Sequence, residues 1–458
     1  MDNIVKYIND NRNNFVDELK EFLKIPSIST NPENKEDVRK CADYVKQQLD
    51  LIGLQNVEIY KTPGHPIVYG DWLKAGDDKT TVLIYGHYDV QPVDPLNLWT
   101  DPPFSPVVRK DNIYARGSAD DKGQVFIHMK SIQAHIINNK SLPINIKFLI
   151  EGEEEIGSVN LDSFIEKNKE LLKCDYVIVS DTAMFDYDVP SICYGLRGLA
   201  YMQVEVTGAN RDLHSGSFGG AVDNPINALA HIICKLKNEK GKVLIDGFYD
   251  DVLPLTKKER AEYSKLPFDE KKYIEGLEVD ELFGEEGYST IERASGRPTL
   301  DCNGIWGGFQ GEGAKTVLPS KAAAKISMRL VPNQEPEKIE KLFIDYVKKV
   351  SPKSVKVVAN SLHGGKGAIT PLDSPGIDAA VEALKKGFGR EPVFVREGGS
   401  IPVVNTFQTL LNSPTILLGF GLPDENAHSP DEHLNLNNFH RGILSIAHYF
   451  NELSKIKK

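Results

Sequence analysis

Two histidines and a set of carboxylates stand directly after short apolar runs. Thr81–Gly86 (TVLIYG) leads into His87-Tyr88-Asp89, and Ile144–Ile150 (INIKFLI) leads into Glu151-Gly152-Glu153-Glu154-Glu155. Tyr176–Ser180 (YVIVS) leads into Asp181, and Thr415–Phe420 (TILLGF) into the loop that carries His428. A fifth segment, Ile113–Arg116, leads to Ser118-Ala119-Asp120-Asp121-Lys122-Gly123, which opens a helix. Imidazole and carboxylate without thiolate suit zinc, manganese or cobalt. Five such groups exceed one tetrahedral zinc site. They fit two ions about 3.5–4 Å apart that share a carboxylate and a water. Metal-bound water reaches a pKa near ~7, so hydrolysis is the expected reaction. Singly, each group has a plainer reading: a hydrogen-bonded loop histidine, a helix cap at Asp120 and Asp121, a solvated acidic face. Their convergence on strand ends carries the metal reading.

Ligands of an open parallel sheet bind outside the carboxyl ends of its strands. The four runs are short, continuous and apolar, as expected of strands covered on both faces. Helices are predicted at Ile4–Phe22, about Lys35–Leu51, about Lys122–Asn138 and from about Leu436 to Leu453. This alternation predicts an α/β domain with a mostly parallel sheet. The middle of the chain reads differently. Tyr201–Val206, Lys321–Val331 and Ser354–Ala359 read as strands, and Pro225–Lys237 and Pro336–Val350 as helices. Two strand–helix units of this kind predict a small inserted α+β domain. The charged stretch from about Glu239 to Arg297 reads as an elaboration of that insert.

The chain has 458 residues, 40% hydrophobic and 26% charged, the balance of a globular protein with room for two or three domains. Asp and Glu number 65 against 54 Lys and Arg, a formal net charge of −11, which disfavours nucleic acid as a partner. No apolar run approaches the ~20 residues of a membrane span. The five cysteines are scattered and form no CxxC, which argues against a disulfide framework and a cysteine zinc site. The polar start predicts no signal peptide, and the expected location is cytoplasmic.

The sequence resembles the M20 metallopeptidase family, in its cytosolic non-specific dipeptidase and carnosinase-like branch. The resemblance rests on GHYDVQP (86–92), WTDPPFSP (99–106), ARGSADDKG (115–123), EGEEEIGS (151–158), YGLRGLAY (194–201) and DLHSG (212–216). It continues through GAKTVLPSKA (313–322), RLVPN (329–333), REGGSIP (396–402) and GFGLPDENAHS (419–429). These motifs span nearly the whole chain in order. The resemblance implies a zinc-peptidase-like catalytic domain over 1–197 and 371–458, with a lid and dimerisation domain inserted at 198–370.

The resemblance also implies roles. His87, Asp120, Glu155, Asp181 and His428 would hold two divalent ions per subunit, zinc or manganese, with Asp120 bridging. Asp89 would orient His87. Glu153, Glu154 and Glu155 could each be the general base by position alone. The family's Glu-Glu-x-Gly-Ser register falls on Glu154-Glu155-Ile156-Gly157-Ser158 and implies Glu154 as base, leaving Glu153 at a position that need not be acidic. The Asp120–Asp121 peptide would be cis. His214 would reach the active site of a partner subunit in a homodimer. Thr316, Arg329 and Ser400 would contact substrate, with Arg329 as a clamp for the free C-terminal carboxylate of a dipeptide. His363 matches loosely, because Gly367 stands where the family usually has a bulky residue. The implied activity is metal-dependent dipeptide hydrolysis. The alternatives on the same fold are N-acyl-amino-acid amidohydrolysis and carboxypeptidase action.

Overall fold

The computed structural model describes residues 1–399 and 401–457. The chain divides into two compact units, one of residues 1–194, 370–395 and 403–458, the other of 195–369 and 396–402.

The first unit is built on a sheet of β1 (Gln55–Tyr60), β2 (Ile67–Trp72), β3 (Thr81–His87), β4 (Asn145–Glu151), β5 (Tyr176–Val179), β6 (Ser191–Leu196) and β7 (Thr415–Leu417). Their spatial order is β1-β2-β4-β3-β5-β7-β6. The expectation of a mostly parallel sheet needs one refinement. Only the central strands β4, β3, β5 and β7 run parallel, and β1, β2 and β6 join antiparallel. The central strands are buried almost throughout, which explains their continuous apolar runs.

Helices α1 (Asp2–Asp10), α2 (Arg12–Leu23), α3 (Lys35–Leu51), α4 (Lys122–Asn139), α5 (Pro375–Phe388) and α6 (Leu436–Leu453) complete this unit's layers. The single helix expected over Ile4–Phe22 is broken at Asn11, whose Nδ2 donates to the Tyr7 carbonyl at 2.9 Å. An asparagine side chain that bonds its own turn competes with helix continuation. Helix α4 packs on β3 and is covered in turn by α6. It is buried from Lys122 to Ser131, polar residues included. Each of these polar side chains makes at least one hydrogen bond or ion pair, although Nδ1 of His128 has no partner among the described residues. Lys122 Nζ donates to the Ile25 carbonyl at 2.7 Å, His128 Nε2 meets Ser180 Oγ at 2.8 Å, and Lys130 pairs with Glu18. Ser131 Oγ donates to the Ile443 carbonyl at 2.9 Å, and His135 Nε2 to the Ala447 carbonyl at 3.0 Å.

The second unit carries an antiparallel sheet in the order Thr299–Gly307, Lys321–Leu330, Gly198–Thr207, Lys356–Gly365. Ala200, Met202, Val204 and Val206 alternate toward a core shared with Ile326, Met328, Leu330 and the helices Pro225–Leu236 and Pro336–Val350. Asn224 caps the first of these helices through Ile226 N–H at 2.9 Å, with Pro225 at its first position. The charged stretch holds two further helices, Lys257–Lys265 and Glu270–Leu277. No helix among the described residues is long and apolar enough to cross a membrane.

Candidate metal centre

Because β3, β4, β5 and β7 are parallel, their carboxyl ends share one edge. His87 is the last residue of β3 and stands in register with Glu151 of β4. Asp181 lies just past β5, and His428 lies in the loop after β7 with φ +62°. Asp120 comes from the turn that opens α4, and its peptide bond to Asp121 is cis.

The five side chains form two groups that share one member. His87, Asp120 and Asp181 offer ligand atoms within 4.8 Å of one another, and so do Asp120, Glu155 and His428. Asp120 divides its oxygens between them. Oδ1 is 3.0 Å from His87 Nε2, and Oδ2 is 2.8 Å from His428 Nε2. Asp181 Oδ2 stands 3.9 Å from His87 Nε2, and Glu155 Oε2 3.3 Å from His428 Nε2. The geometry therefore sorts the terminal residues, which the sequence left unsorted.

Charge at this edge is one-sided. Among the described residues, no Lys or Arg pairs with Asp89, Asp120, Asp121, Asp181, Glu154 or Glu155. Burial, then the neighbouring Asp120, pushes the Asp181 carboxyl well above its usual range. Burial opposes a charged His87, but its hydrogen bonds to Asp120 and Asp89 hold its pKa well above normal. The Asp120 and Glu155 contacts raise His428 to about 10. Buried carboxylates without counter-charge are costly, and bound cations are the ordinary remedy. The donor set, two imidazoles and three carboxylates without thiolate, fits two divalent ions.

Asp89 does two things, one of them unexpected. Its backbone carbonyl accepts His87 Nδ1–H at 3.0 Å, while its carboxylate stands 3.5 Å from that nitrogen. The same carboxylate accepts the N–H groups of Glu154 at 3.2 Å and Glu155 at 3.1 Å. It thus holds the acidic turn as well as the imidazole. The glutamates of that turn differ in their partners. Glu151 accepts from Tyr85 and Ser158, and Glu153 from His65 N–H and Asn160. Glu155 accepts Gln91 Nε2 at 2.7 Å. The Glu154 carboxylate has no hydrogen-bond partner among the described residues. Burial first, then Glu155, Asp120 and Asp89, against a lowering by His87, raises its pKa to about 8.

Several further residues support the ligands. Gln124 donates to the Ala119 and Thr182 carbonyls and accepts Phe420 N–H at 2.8 Å, tying three ligand-bearing segments together. Asp121 accepts His87 N–H at 3.2 Å. Glu432 binds the Asp120 loop. Asp121, in the ARGSADDKG motif, and Gln91, in GHYDVQP, lie inside quoted motifs, whereas Gln124 and Glu432 do not.

The remaining expected residues lie in the second unit. His214 is exposed at the end of a short strand paired with Val317-Leu318. Its Nδ1 accepts Gly216 N–H at 3.0 Å, so the proton resides on Nε2. Thr316 lies beside it, its carbonyl accepting Ser215 N–H at 3.1 Å. Arg329 is half-buried, on the sheet face opposite the helices, and has no ion-pair partner among the described residues. His363 is on Lys356–Gly365, with Gly198–Thr207 between it and the strand of Arg329, and its ring is edge-on to Tyr201 at 5.1 Å. Ser400 lies outside the described residues.

Comparison with known proteins follows the same lines. Residues 83–452 match the model of peptidase family M20/M25/M40. The Cys-Gly metallodipeptidase dug1 of Schizosaccharomyces pombe is 36% identical over 100% of this chain and 99% of its own. The human Beta-Ala-His dipeptidase is 31% identical over 100% of this chain and 93% of its own. Among solved structures, the M20 family metallo-carboxypeptidase Sso-CP2 from Sulfolobus solfataricus superposes with a TM-score of 0.84 at 36% identity, covering 96% of this chain and 99% of that one.

Proposed function

The chain belongs to peptidase family M20/M25/M40, and from that premise we propose that it hydrolyses dipeptides with a free C-terminal carboxylate. One observation carries the metal reading: Asp120 places one oxygen in each of two His–carboxylate groups. His87 and Asp181 would hold one divalent ion, Glu155 and His428 the other, with Asp120 bridging. Zinc and manganese both suit these donors. Such a pair of ions polarises a scissile carbonyl and supplies water at a lowered pKa.

The residues do the rest. Glu154, whose carboxylate has no hydrogen-bond partner among the described residues, takes the proton of the attacking water and returns it to the leaving amine. Asp89 keeps Glu154 and Glu155 in place. The second unit serves as the lid and dimerisation domain of a homodimer. His214 donates from Nε2 to the developing oxyanion in a partner subunit's centre, a contact worth about 3–4 kcal/mol. Arg329, Thr316 and Ser400 receive the substrate, with the guanidinium on its carboxylate. The five free cysteines agree with a cytoplasmic location.

The dipeptide reading draws on the two dipeptidase relatives, and Sso-CP2 supports carboxypeptidase action as the second reading. Chelator-stripped protein, with zinc or manganese restored, separates them on dipeptides, amidated dipeptides, tripeptides and N-acetyl amino acids. The expected result is metal-dependent cleavage of free dipeptides, lost on amidation. Tripeptides cleaved as fast as dipeptides would favour the carboxypeptidase. Turnover of N-acetyl amino acids alone would overturn the peptidase substrate, and amidated dipeptides cleaved as fast as free ones would overturn the Arg329 assignment.

A further inference from the structure

Glu432 stands four residues beyond His428 and is fully buried. Its side chain accepts four hydrogen bonds from a single loop, the one that carries Asp120. Oε2 takes Arg116 Nη1 at 2.7 Å and Gly117 N–H at 2.9 Å. Oε1 takes Ala119 N–H at 2.9 Å and Asp120 N–H at 3.1 Å. The Glu432 carbonyl also accepts Ala115 N–H at 3.1 Å. Arg116, 1% exposed, sends Nη2 to the Pro92 carbonyl at 3.0 Å, on the loop that follows His87 and Asp89. One carboxylate therefore joins the segments that supply Asp120, His428 and, through Arg116, His87.

We propose that Glu432 is the positioning residue of the metal centre, setting the distance between Asp120 and His428 before any ion arrives. This rests on the two-ion reading above. Arg116 neutralises Glu432, so the pair adds little net charge to the centre and its effect is geometric. All four donors are N–H groups, so only a group that accepts on both oxygens satisfies them. A glutamine would turn its NH2 toward N–H donors in either orientation, leaving two of them buried and unpaired.

The test is binding of zinc and manganese to stripped full-length protein, by competition with a chromophoric chelator, for wild type and Glu432→Gln. The expected result is a 10–100-fold weaker affinity, the usual cost of losing an outer partner of a metal ligand. At saturating metal, kcat should return to within about 3-fold of wild type, because the residue touches neither substrate nor ion. Arg116→Lys, which keeps the charge but loses the fork, should weaken binding in the same direction. It also provides the readout if Glu432→Gln is insoluble. Unchanged metal affinity in the soluble variant, with or without a lower thermal midpoint of the stripped protein, would reduce Glu432 to a structural residue and overturn the proposal. A wild type that binds neither metal would instead overturn the two-ion reading itself.

Discussion

At the scale of single residues, the acidic turn after β4 shows how four carboxylates within five positions acquire different tasks. Glu151 and Glu153 are occupied by neighbours, Glu155 faces His428, and Glu154 is left free. Glu154→Gln should therefore lower kcat by 10²–10⁴-fold, as expected on losing a general base. Metal affinity should stay within about 3-fold, since Glu154 belongs to neither ligand group. A calorimetric titration beside the kinetic assay checks both, and a large loss of metal binding would place Glu154 among the ligands. The five clustered residues were legible because each follows an apolar strand or opens a helix. Glu432 and Gln124 were not, because their partners are backbone groups of distant loops. Such bonds leave no period and no spacing in the chain. Glu153 read as a position that need not be acidic, yet it is buried and accepts His65 N–H at 3.1 Å.

At the scale of elements, amphipathic helices were read closely. Lys35–Leu51 and Pro336–Val350 match their expected bounds, since each shows one apolar stripe. The break between α1 and α2 was missed because it depends on one asparagine side chain rather than on periodicity. Tight packing where ligand segments meet follows from two glycines that stand in quoted motifs but whose close contacts no pattern shows. A Cβ on Gly123, in the first turn of α4, would come within 2.0 Å of the Ser118 carbonyl and 2.6 Å of Leu434. One on Gly419, just after β7, would come within 2.0 Å of the Thr182 carbonyl. Gly123→Ala and Gly419→Ala should each cost about 1–3 kcal/mol by overpacking, read as a lowered thermal midpoint. Each should also weaken metal binding, because the displaced segments carry Asp120 and Asp181. A substitution that leaves both readouts unchanged would mean that the backbone gives way without moving the ligands.

At the scale of the whole molecule, the two units follow from two rhythms in the chain, one of buried parallel strands and one of alternating antiparallel strands. The alternation is visible in Gly198–Thr207 because only one sheet face is covered by helices. The first unit also buries neutral histidines. Burial lowers His128 to about 3 and His440 to about 4, and lowers His135 to about 4 despite its bond to the Ala447 carbonyl. An unfolded histidine titrates near ~6.5. Between that pH and about 4 the unfolded chain binds more protons than the folded one, so stability falls as the pH falls. Each such histidine contributes up to about 1.4 kcal/mol per pH unit to that slope. Denaturant unfolding from pH 7 to 4.5 should show a shallower acid loss for His135→Gln than for wild type, and parallel curves would contradict the assignment. The cover over α4 has a consequence in time. The bonds from Ser131 and His135 to Ile443 and Ala447 join helices separated by roughly 300 residues of chain. At ~5–20 residues per second, a ribosome needs ~15–60 s to pass from one to the other. Throughout that interval the face of α4 that α6 covers is bare, its mate not yet translated.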